Sequence, residues 1–224
     1  MANGHPDDKY GWAVAGGAKF NLAGGDAWGF NVCYAEGAPG FCTNNAVWTL
    51  YNSNTSVGLG WIADGIFSSG AATGGTQIEL TKVWSALAFY EHIWNPRWRT
   101  SVFGGFVGVD YNSNATVMIQ QRLPNVAAGC GPGVPPVGAA LSTITPLPGN
   151  TCSPDQSFWE AGTRTQWNPV PQLEIGLEVL YSQRNTAFKG AAIVPASGSR
   201  PPVFVIDDQN VWSAMVRWQR NFYP

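Results

Sequence analysis

Apolar and polar residues alternate with a period of two along much of this chain. Between 173 and 184 the apolar positions fall on every second residue: Leu173, Ile175, Leu177, Val179 and Tyr181. Because successive side chains of a strand point to opposite faces, this alternation predicts strands with one apolar face. Helical periodicity is absent throughout, so the pattern predicts an all-β chain. We expect seven strands, at 9–21, 27–35, 79–94, 97–111, 157–168, 173–185 and 209–222.

Turn signals divide these strands unequally. Short turns, in which Gly supplies positive φ or Asn-Pro starts a reversal, are expected at 23–26, 95–97 and 168–171. Long irregular segments are expected at 36–77, 112–157 and 185–208. Short turns at one end of a sheet and long loops at the other are typical of transmembrane β-barrels. The segment 46–67 either adds two strands or remains a folded loop. We expect one domain over residues 1–224, with a polar tail at 1–8.

A soluble β-sandwich also produces alternation, but three features favour a membrane barrel. The predicted strands exceed the roughly 5–6 residues typical of soluble sheets and suit the roughly 9–11 tilted residues that cross a bilayer. Aromatic residues recur on one face about 26–34 Å apart along a strand, which suits the two headgroup boundaries. Mid-strand charges at Arg164, Glu178 and Arg217 suit a water-filled lumen better than a packed core. The expected membrane-girdle aromatics are Tyr10, Trp12, Phe20, Trp28, Trp159, Trp167, Trp212, Trp218 and Phe222.

Composition excludes several other classes of protein. Charged residues make up 12% of the chain and the net charge is −2, which gives no broad positive field for nucleic acid. Aromatic residues make up 13%, which argues against disorder. No apolar run free of Gly, Pro and charge is long enough for a transmembrane helix, and the polar start of the chain does not resemble a signal peptide.

The four cysteines form two close pairs, Cys33 with Cys42 and Cys130 with Cys152. None has the C-x-x-C spacing of a metal site, so we expect two disulfides that close long loops in an oxidising compartment. If Cys33 faces the lumen, its bridge ties the first long loop inward across the mouth of the barrel.

Candidate catalytic groups are few and scattered. Glu160, Glu174 and Glu178 form an acidic patch near the short-turn end, but no substrate cleft is indicated for a carboxylate pair. His92 lies next to the turn at 95–97, and His5 in the polar tail is too remote to complete a metal site. We therefore expect no enzyme activity, no metal site and no cofactor.

Several long segments resemble the porins of alphaproteobacterial, rhizobium-type outer membranes. The resemblance covers essentially the whole chain and matches the C-terminal half of such a porin. The segments that carry it are Asn31-Val-Cys-Tyr34, Gly37-Ala-Pro-Gly-Phe-Cys42, Glu79-Leu-Thr-Lys-Val-Trp84, Tyr90-Glu-His-Ile-Trp-Asn-Pro96, Gly162-Thr-Arg-Thr-Gln-Trp-Asn-Pro-Val-Pro-Gln172, Asp207-Asp-Gln-Asn-Val-Trp-Ser-Ala-Met215 and Arg217-Trp-Gln-Arg-Asn-Phe-Tyr223.

The resemblance implies a trimeric general-diffusion porin of about sixteen strands in outer-membrane lipid, passing small hydrophilic solutes and ions. Such a porin is about twice as long, and its first half holds the signal peptide and a loop that constricts the pore. The chain therefore looks like a fragment of a transmembrane antiparallel up-and-down β-barrel with about 7–9 of those strands. An isolated sheet of that size keeps two open edges, so we expect a partial barrel whose conduction requires the other half.

The alternating register predicts a row of lumen-facing polar residues, namely Lys19, Arg99, Arg164, Glu174, Glu178, Arg217 and Gln219. Opposed fixed charges would set a transverse field that orients solutes and biases ion passage. The same residues could instead form salt-bridged ladders that stiffen the wall, and the sequence favours neither role. The alternative function is a small membrane-anchored barrel whose long loops serve adhesion or structure, or a porin fragment without function.

Overall fold

Seven antiparallel strands form the main sheet of the protein. The structure is a computed structural model that describes residues 6, 8–43, 48–52, 55–68, 76–123, 130, 150–193 and 204–222. The strands of the main sheet are β1 (Trp12–Asn21), β2 (Ala27–Glu36), β7 (Lys82–Asn95), β8 (Trp98–Asp110), β9 (Gln156–Val170), β10 (Leu173–Asn185) and β13 (Gln209–Arg220). The sheet is not closed, because β1 and β13 each pair with one strand only among the described residues.

Strands that are consecutive in this set are neighbours in space. The order is β1-β2-β7-β8-β9-β10-β13, and every pairing is antiparallel. Three short turns lie at one end of the sheet, which we call the turn end: 22–26, 96–97 and 171–172. Three long connections lie at the opposite end, the loop end: 37–81, 111–155 and 186–208. The predicted partial up-and-down barrel sheet, with short turns opposite long loops, is confirmed.

One predicted strand is divided in two. The expected strand at 79–94 is the short β6 (Glu79–Leu80) followed by β7. Thr81 separates them: it donates from its N–H to the Asp64 carbonyl (3.1 Å), and its own carbonyl accepts from Gly37 N–H (2.8 Å). These loop contacts replace ladder pairing at Thr81, so the strand pattern in the sequence runs past the real boundary. Of the predicted polar tail, residues 1–5 and 7 lie outside the described residues.

The long connections contain their own short strands and one helix. The first connection holds β3 (Trp48–Asn52), β4 (Ser56–Trp61), β5 (Gly65–Ile66) and β6, and the third holds β11 (Ala192–Ile193) and β12 (Phe204–Ile206). A four-stranded sheet forms in the order β11-β12-β4-β3, with β12 parallel to β4. The described strands within 46–67 thus belong to a folded loop and do not join the main sheet.

The expectation that helical periodicity is absent was wrong for one segment. Helix α1 (Ser113–Arg122) lies in the second connection, where an irregular loop was predicted. Asn112 caps it by accepting from Ala115 N–H at 2.9 Å. Ala115, Met118 and Ile119 are buried at helical spacing, but a stripe this short is hard to distinguish from loop residues in the sequence. No helix among the described residues is long and apolar enough to span a membrane.

The three connections pack together at the loop end into a unit that we call the cap, formed by the described parts of 37–81, 111–155 and 186–208. Its buried core draws on all three connections, and the main sheet contributes Val83 and Val109. The connection residues of this core are Val57, Trp61, Tyr111, Ala115, Ile119, Ala187, Phe188, Ala191 and Ile206. The long loops therefore fold as one body against the sheet.

Candidate functional site: the two faces of the main sheet

The strand register gathers the predicted lumen residues on one side of the main sheet, which we call the polar face. Residues directly opposite each other in neighbouring antiparallel strands share a face. Glu178 lies opposite Arg164 on one side and Met215 on the other. Applied across the sheet, the register places on the polar face all of Lys19, Arg99, Arg164, Glu174, Glu178, Arg217 and Gln219.

Charged groups of the polar face interact near the turn end. Arg99 of β8 reaches across β9 and forms an ion pair with Glu174 of β10, with Nη2 and Oε2 2.9 Å apart. Arg217 donates to the Gln219 side-chain oxygen. A shallow cleft beside them is lined by Arg164, Gln166, Glu174, Gly176, Glu178, Met215 and Arg217. Cations on β8, β9 and β13 thus flank the two glutamates of β10, whereas Lys19 lies apart on β1.

The opposite side, the apolar face, carries the aromatic residues. Of the predicted girdle residues, the strand register places there Trp12, Phe20, Trp28, Trp159, Trp167, Trp212 and Trp218. Tyr10 and Phe222 lie just outside β1 and β13 and are exposed. The face is exposed on interior strands too: Val102 of β8 and Leu177 of β10 are each 51% accessible. Exposure of this kind on a long sheet requires an apolar surrounding.

Aromatic contacts on the apolar face form near both ends of the strands. Towards the turn end, Phe20 stacks on Trp28 (ring centroids 4.6 Å apart) and Trp98 on Trp167 (5.6 Å). Towards the loop end, the pairs are Trp12–Tyr34 at 5.4 Å, Trp84–Phe106 at 4.4 Å, Trp159–Tyr181 at 5.2 Å and Tyr181–Trp212 at 4.9 Å. An apolar band bounded by aromatic side chains is typical of membrane β-barrels.

Five members of these aromatic pairs were not predicted: Tyr34, Trp84, Trp98, Phe106 and Tyr181. Tyr34 and Tyr181 share the alternating positions of the predicted aromatic residues on their own strands, so the signal was present. Trp98 and Phe106 were missed because the glycines at 104 and 105 left the register of β8 ambiguous in the sequence.

Asp26 is the centre of a cluster at the turn end that the sequence did not reveal. Its carboxylate accepts from Ile93 N–H (2.9 Å) and from Tyr90 OH (2.7 Å), and it lies 2.8 Å from Nδ1 of His92. The bond from Ile93 N–H, together with those from His92 and Tyr90, lowers the pKa of Asp26 from 3.8 to about 2. The cluster ties the turn at 22–26 to β7. His92, expected near the 95–97 turn, serves here as a partner of Asp26.

The two predicted disulfides are confirmed. Cys33 is bonded to Cys42, and Cys130 to Cys152. Cys33 lies opposite Ser85 and Ala15 on the polar face, so its bridge attaches the start of the first connection to that face. No group of three or more His, Cys, Asp or Glu side chains that could hold a metal occurs in the described part of the chain.

An open antiparallel sheet of long strands, with one exposed apolar face and one charged face, is part of the wall of a transmembrane β-barrel. Comparison with known families agrees with this class. The family model described as porin subfamily matches residues 1–215, and the chain belongs to that family. No curated protein and no solved structure matches the chain.

Proposed function

We propose that the main sheet forms part of the wall of a water-filled outer-membrane channel through which small hydrophilic solutes and ions diffuse. The observation that carries the proposal is an exposed apolar face on one side of the sheet and charged side chains on the other. Leu177 on the interior strand β10 is 51% exposed, whereas Arg164 and Glu178 lie opposite each other on the other face. A protein folded in water would cover such an apolar face. Lipid against the apolar face and water along the polar face account for this arrangement.

The fixed charges of the polar face would act on solutes without any chemical step. The Arg99–Glu174 pair, with Arg164, Glu178 and Arg217 nearby, presents both signs within a few strand spacings. Such rows orient dipolar solutes and bias the passage of ions. Arg99 and Glu174 also connect β8 to β10, so this pair stiffens the wall as well. The same side chains can therefore set the electric field in the channel and stiffen its wall.

The finer assignment rests on the resemblance to rhizobium-type porins. It supports an outer-membrane location, a homotrimer in the full-length protein and general diffusion without a cofactor. The two disulfides suit an oxidising compartment outside the cytoplasm.

Cysteine accessibility in lipid vesicles tests the channel wall directly. Single substitutions at Glu174, Glu178 and Ser213 on the polar face are compared with Ile175, Val179 and Ala214 on the apolar face, using a membrane-impermeant thiol reagent. We expect the polar-face positions to react at least tenfold faster, because only they meet water. Equal reaction of both sets, or faster reaction of the apolar set, would refute the proposal. The four native cysteines are bonded to each other and do not interfere.

One observation favours a second candidate function, a membrane anchor with a loop-based binding surface. The long loops form a cap with its own core, and Phe41 on it is 79% exposed. Under this alternative the polar face would be closed to water below the cap. The same accessibility experiment separates the two functions, since a dry polar face would leave Glu178→Cys unreactive.

A further inference from the structure

A cleft lies on the apolar face of the main sheet at its loop end. Trp84 of β7, Gly108 of β8, Ser157 of β9 and Asn185 of β10 form a row across four neighbouring strands, each residue opposite the next in register. All four line a cleft of about 290 Å³. The cleft is open because Gly108 and Ser157, in the middle of the row, have little or no side chain. Its volume is close to the lower end of the roughly 300–1,000 Å³ range of small-molecule sites.

Aromatic rings form the side of the cleft that faces the middle of the strands. Trp84 stacks on Phe106, with ring centroids 4.4 Å apart, and both rings line the cleft. The indole Nε1 of Trp84 lies over Gly108, since a Cβ added at Gly108 would be 2.6 Å from it. This N–H donates to no other residue in the described part of the chain. An indole N–H at a membrane boundary usually finds an acceptor, so the cleft offers a donor to its ligand.

Charged residues lie on the outer side of the cleft, towards the loop end. Asp110 and Asp155 both line it. Asp110 is two residues beyond Gly108 on β8, or roughly 7 Å nearer the loop end at ~3.3 Å per residue. Lys82 of β7 lies directly opposite Asp110. The aromatic band of a membrane barrel marks the boundary of the hydrocarbon region, so charges just beyond the aromatic rings lie at the level of lipid headgroups.

Lys82 and Asp110 are opposite each other but do not form an ion pair. The ion pairs among the described residues involve other side chains, and neither Lys82 nor Asp110 makes a side-chain hydrogen bond to another described residue. Asp155 is held in place: its Oδ1 accepts from Tyr111 N–H at 2.8 Å and its Oδ2 from Ser153 Oγ at 2.8 Å. The charged side of the cleft thus has one fixed carboxylate, and a lysine and a second carboxylate that are both available to a ligand.

We propose that this cleft, which we call the lipid cleft, binds the headgroup of a zwitterionic phospholipid. The phosphate accepts from the Trp84 indole N–H and lies beside the Lys82 ammonium, and the lipid ammonium meets the carboxylates of Asp110 and Asp155. The acyl chains continue over Phe106 along the apolar face. The inference goes beyond the proposed function and rests on it only in placing lipid against that face.

Charge and spacing favour a zwitterion over an anionic lipid. The lipid cleft presents two carboxylates and one ammonium, so a headgroup that carries only a phosphate meets net repulsion. In an ethanolamine headgroup two methylene groups separate the ammonium from the phosphate ester, a span similar to the ~4.8 Å between neighbouring strands such as β7 and β8. A primary ammonium also has three N–H donors for the two carboxylates. Both signs of charge in the cleft are then matched at once.

Native mass spectrometry of the full chain in detergent micelles measures this preference. The chain is titrated separately with palmitoyl-oleoyl phosphatidylethanolamine and with palmitoyl-oleoyl phosphatidylglycerol, which differ only in the headgroup. We expect one molecule of the ethanolamine lipid to bind about fivefold more tightly than the glycerol lipid, which is the effect of one charge pair at an exposed site. Further lipid molecules should bind without preference.

Three variants locate the preference in the lipid cleft. Asp110→Asn removes a carboxylate that has no hydrogen bond to another described residue, and we expect it to abolish the preference for the ethanolamine lipid. Lys82→Gln should weaken the binding of both lipids, because both carry a phosphate. The matched control is Glu36→Gln. Glu36 lies opposite Lys82 on its other side, on the same face, and does not line the cleft, so the preference should stay unchanged.

Equal affinity of the parent chain for the two lipids, or tighter binding of the glycerol lipid, would overturn the lipid cleft. A preference that survives in Asp110→Asn, with the parent circular dichroism and both disulfides retained, would also overturn it. If Asp110→Asn loses the native spectrum, Lys82→Gln decides, and unchanged affinities there reject the site. Loss of the preference in Glu36→Gln would show that net charge, and not the cleft, selects the lipid.

The proposed channel wall is judged separately, by the thiol reactivity of Glu178→Cys and Val179→Cys in vesicles. Alternating reactivity without a lipid preference would reject the lipid cleft and keep the channel wall. A lipid preference with equal reactivity of the two positions would reject the wall instead.

Discussion

Single residues of this protein show which surroundings each face requires. On the interior strand β10 the apolar face presents Ile175, Leu177 and Val179, and Leu177 is 51% exposed although it lies mid-strand. The hydrophobic effect drives such apolar area out of water, so its stability depends on lipid. Substitutions on the two faces should therefore have opposite tolerance for charge.

Leu177→Arg tests this asymmetry. Leu177 lies mid-strand on the apolar face and is 51% exposed, so an arginine there would place its charge in the bilayer. We expect a loss of about 2–4 kcal/mol in the free energy of unfolding from lipid bilayers, measured by urea titration. Ser213→Arg, on the polar face of β13, is the matched control and should cost far less. Equal losses in the two variants would contradict the assignment of faces.

Asp26→Asn tests the turn-end cluster. Its carboxylate has a pKa lowered from 3.8 to about 2, so the folded state favours the ionised form. The stabilisation is complete above about pH 4 and is lost as pH falls towards 2. We expect Asp26→Asn to unfold at a lower temperature than the parent chain at pH 6, with the difference disappearing near pH 2. Asp8→Asn, exposed outside the sheet, removes a carboxylate away from the cluster and is the matched control. A difference between Asp26→Asn and the parent chain that stays constant from pH 6 to pH 2 would argue against the cluster.

Much of the residue-level arrangement could be predicted because a period of two is a local property. Face assignment for Lys19, Glu178 or Trp218 needs only the alternation within one strand. Pairing across strands needs the register, which depends on turns and bulges. The Arg99–Glu174 pair skips a strand and could not be found that way. Asp26 lies in a turn and its partners are 64–67 residues away along the chain, so no local pattern identifies it.

At the scale of the element, the long spanning strands were predictable and the cap was not. The strands are long and carry strong alternation, whereas β4 contains three glycine or serine residues among six and has no clear face. Its position follows from contacts with Thr186, Gln156 and Gln209, which lie far along the chain. Helix α1 is similar: it is stabilised by the N-cap residue Asn112 and by three buried apolar side chains that pack inward. Elements stabilised by distant contacts leave little trace in a local pattern.

Asn112→Ala tests how much α1 depends on its N-cap. The Asn112 side chain accepts from Ala115 N–H and donates to Glu79 Oε2 at 2.7 Å. We expect its removal to cost about 1 kcal/mol of local stability, seen as faster amide hydrogen exchange in α1. Asn112→Ser keeps a capping oxygen and should restore most of the protection. If the α1 amides exchange as fast in Asn112→Ser as in Asn112→Ala, the contact with Glu79, and not the N-cap hydrogen bond of residue 112, stabilises the helix.

At the scale of the whole molecule, the direction of the edge strands limits how the sheet can close. β1 runs from the loop end to the turn end. β13 runs in the same direction, because in an antiparallel sheet of seven strands the first and the last strand point the same way. A second copy related by an axis through the pore would bring β1 against β13 in parallel, which the antiparallel ladder does not support. Closure with antiparallel pairing needs an additional sheet with an odd number of strands.

We therefore expect the 224-residue chain reconstituted alone in a planar bilayer to give no stable unit conductance. The open edges leave backbone groups unpaired in lipid, at a cost of several kcal/mol for each group. Supplying an antiparallel sheet with an odd number of strands, by fusion to β1 and β13, should produce discrete conductance steps. Reproducible steps from the chain alone would show that the two edges meet by some other route.

The cap core and the apolar face differ in what they need for stability. The cap core needs only to be excluded from water, whereas the apolar face needs lipid around it. Val57, Trp61, Phe188 and their neighbours, together with Val83 and Val109 of the sheet, are buried away from water, so their packing does not depend on lipid. The exposed tryptophan side chains of the apolar face contribute hydrophobic stabilisation only once lipid surrounds them. Before insertion, the apolar area left in contact with water is therefore that of the apolar face, and a chaperone that keeps the protein soluble would bind there.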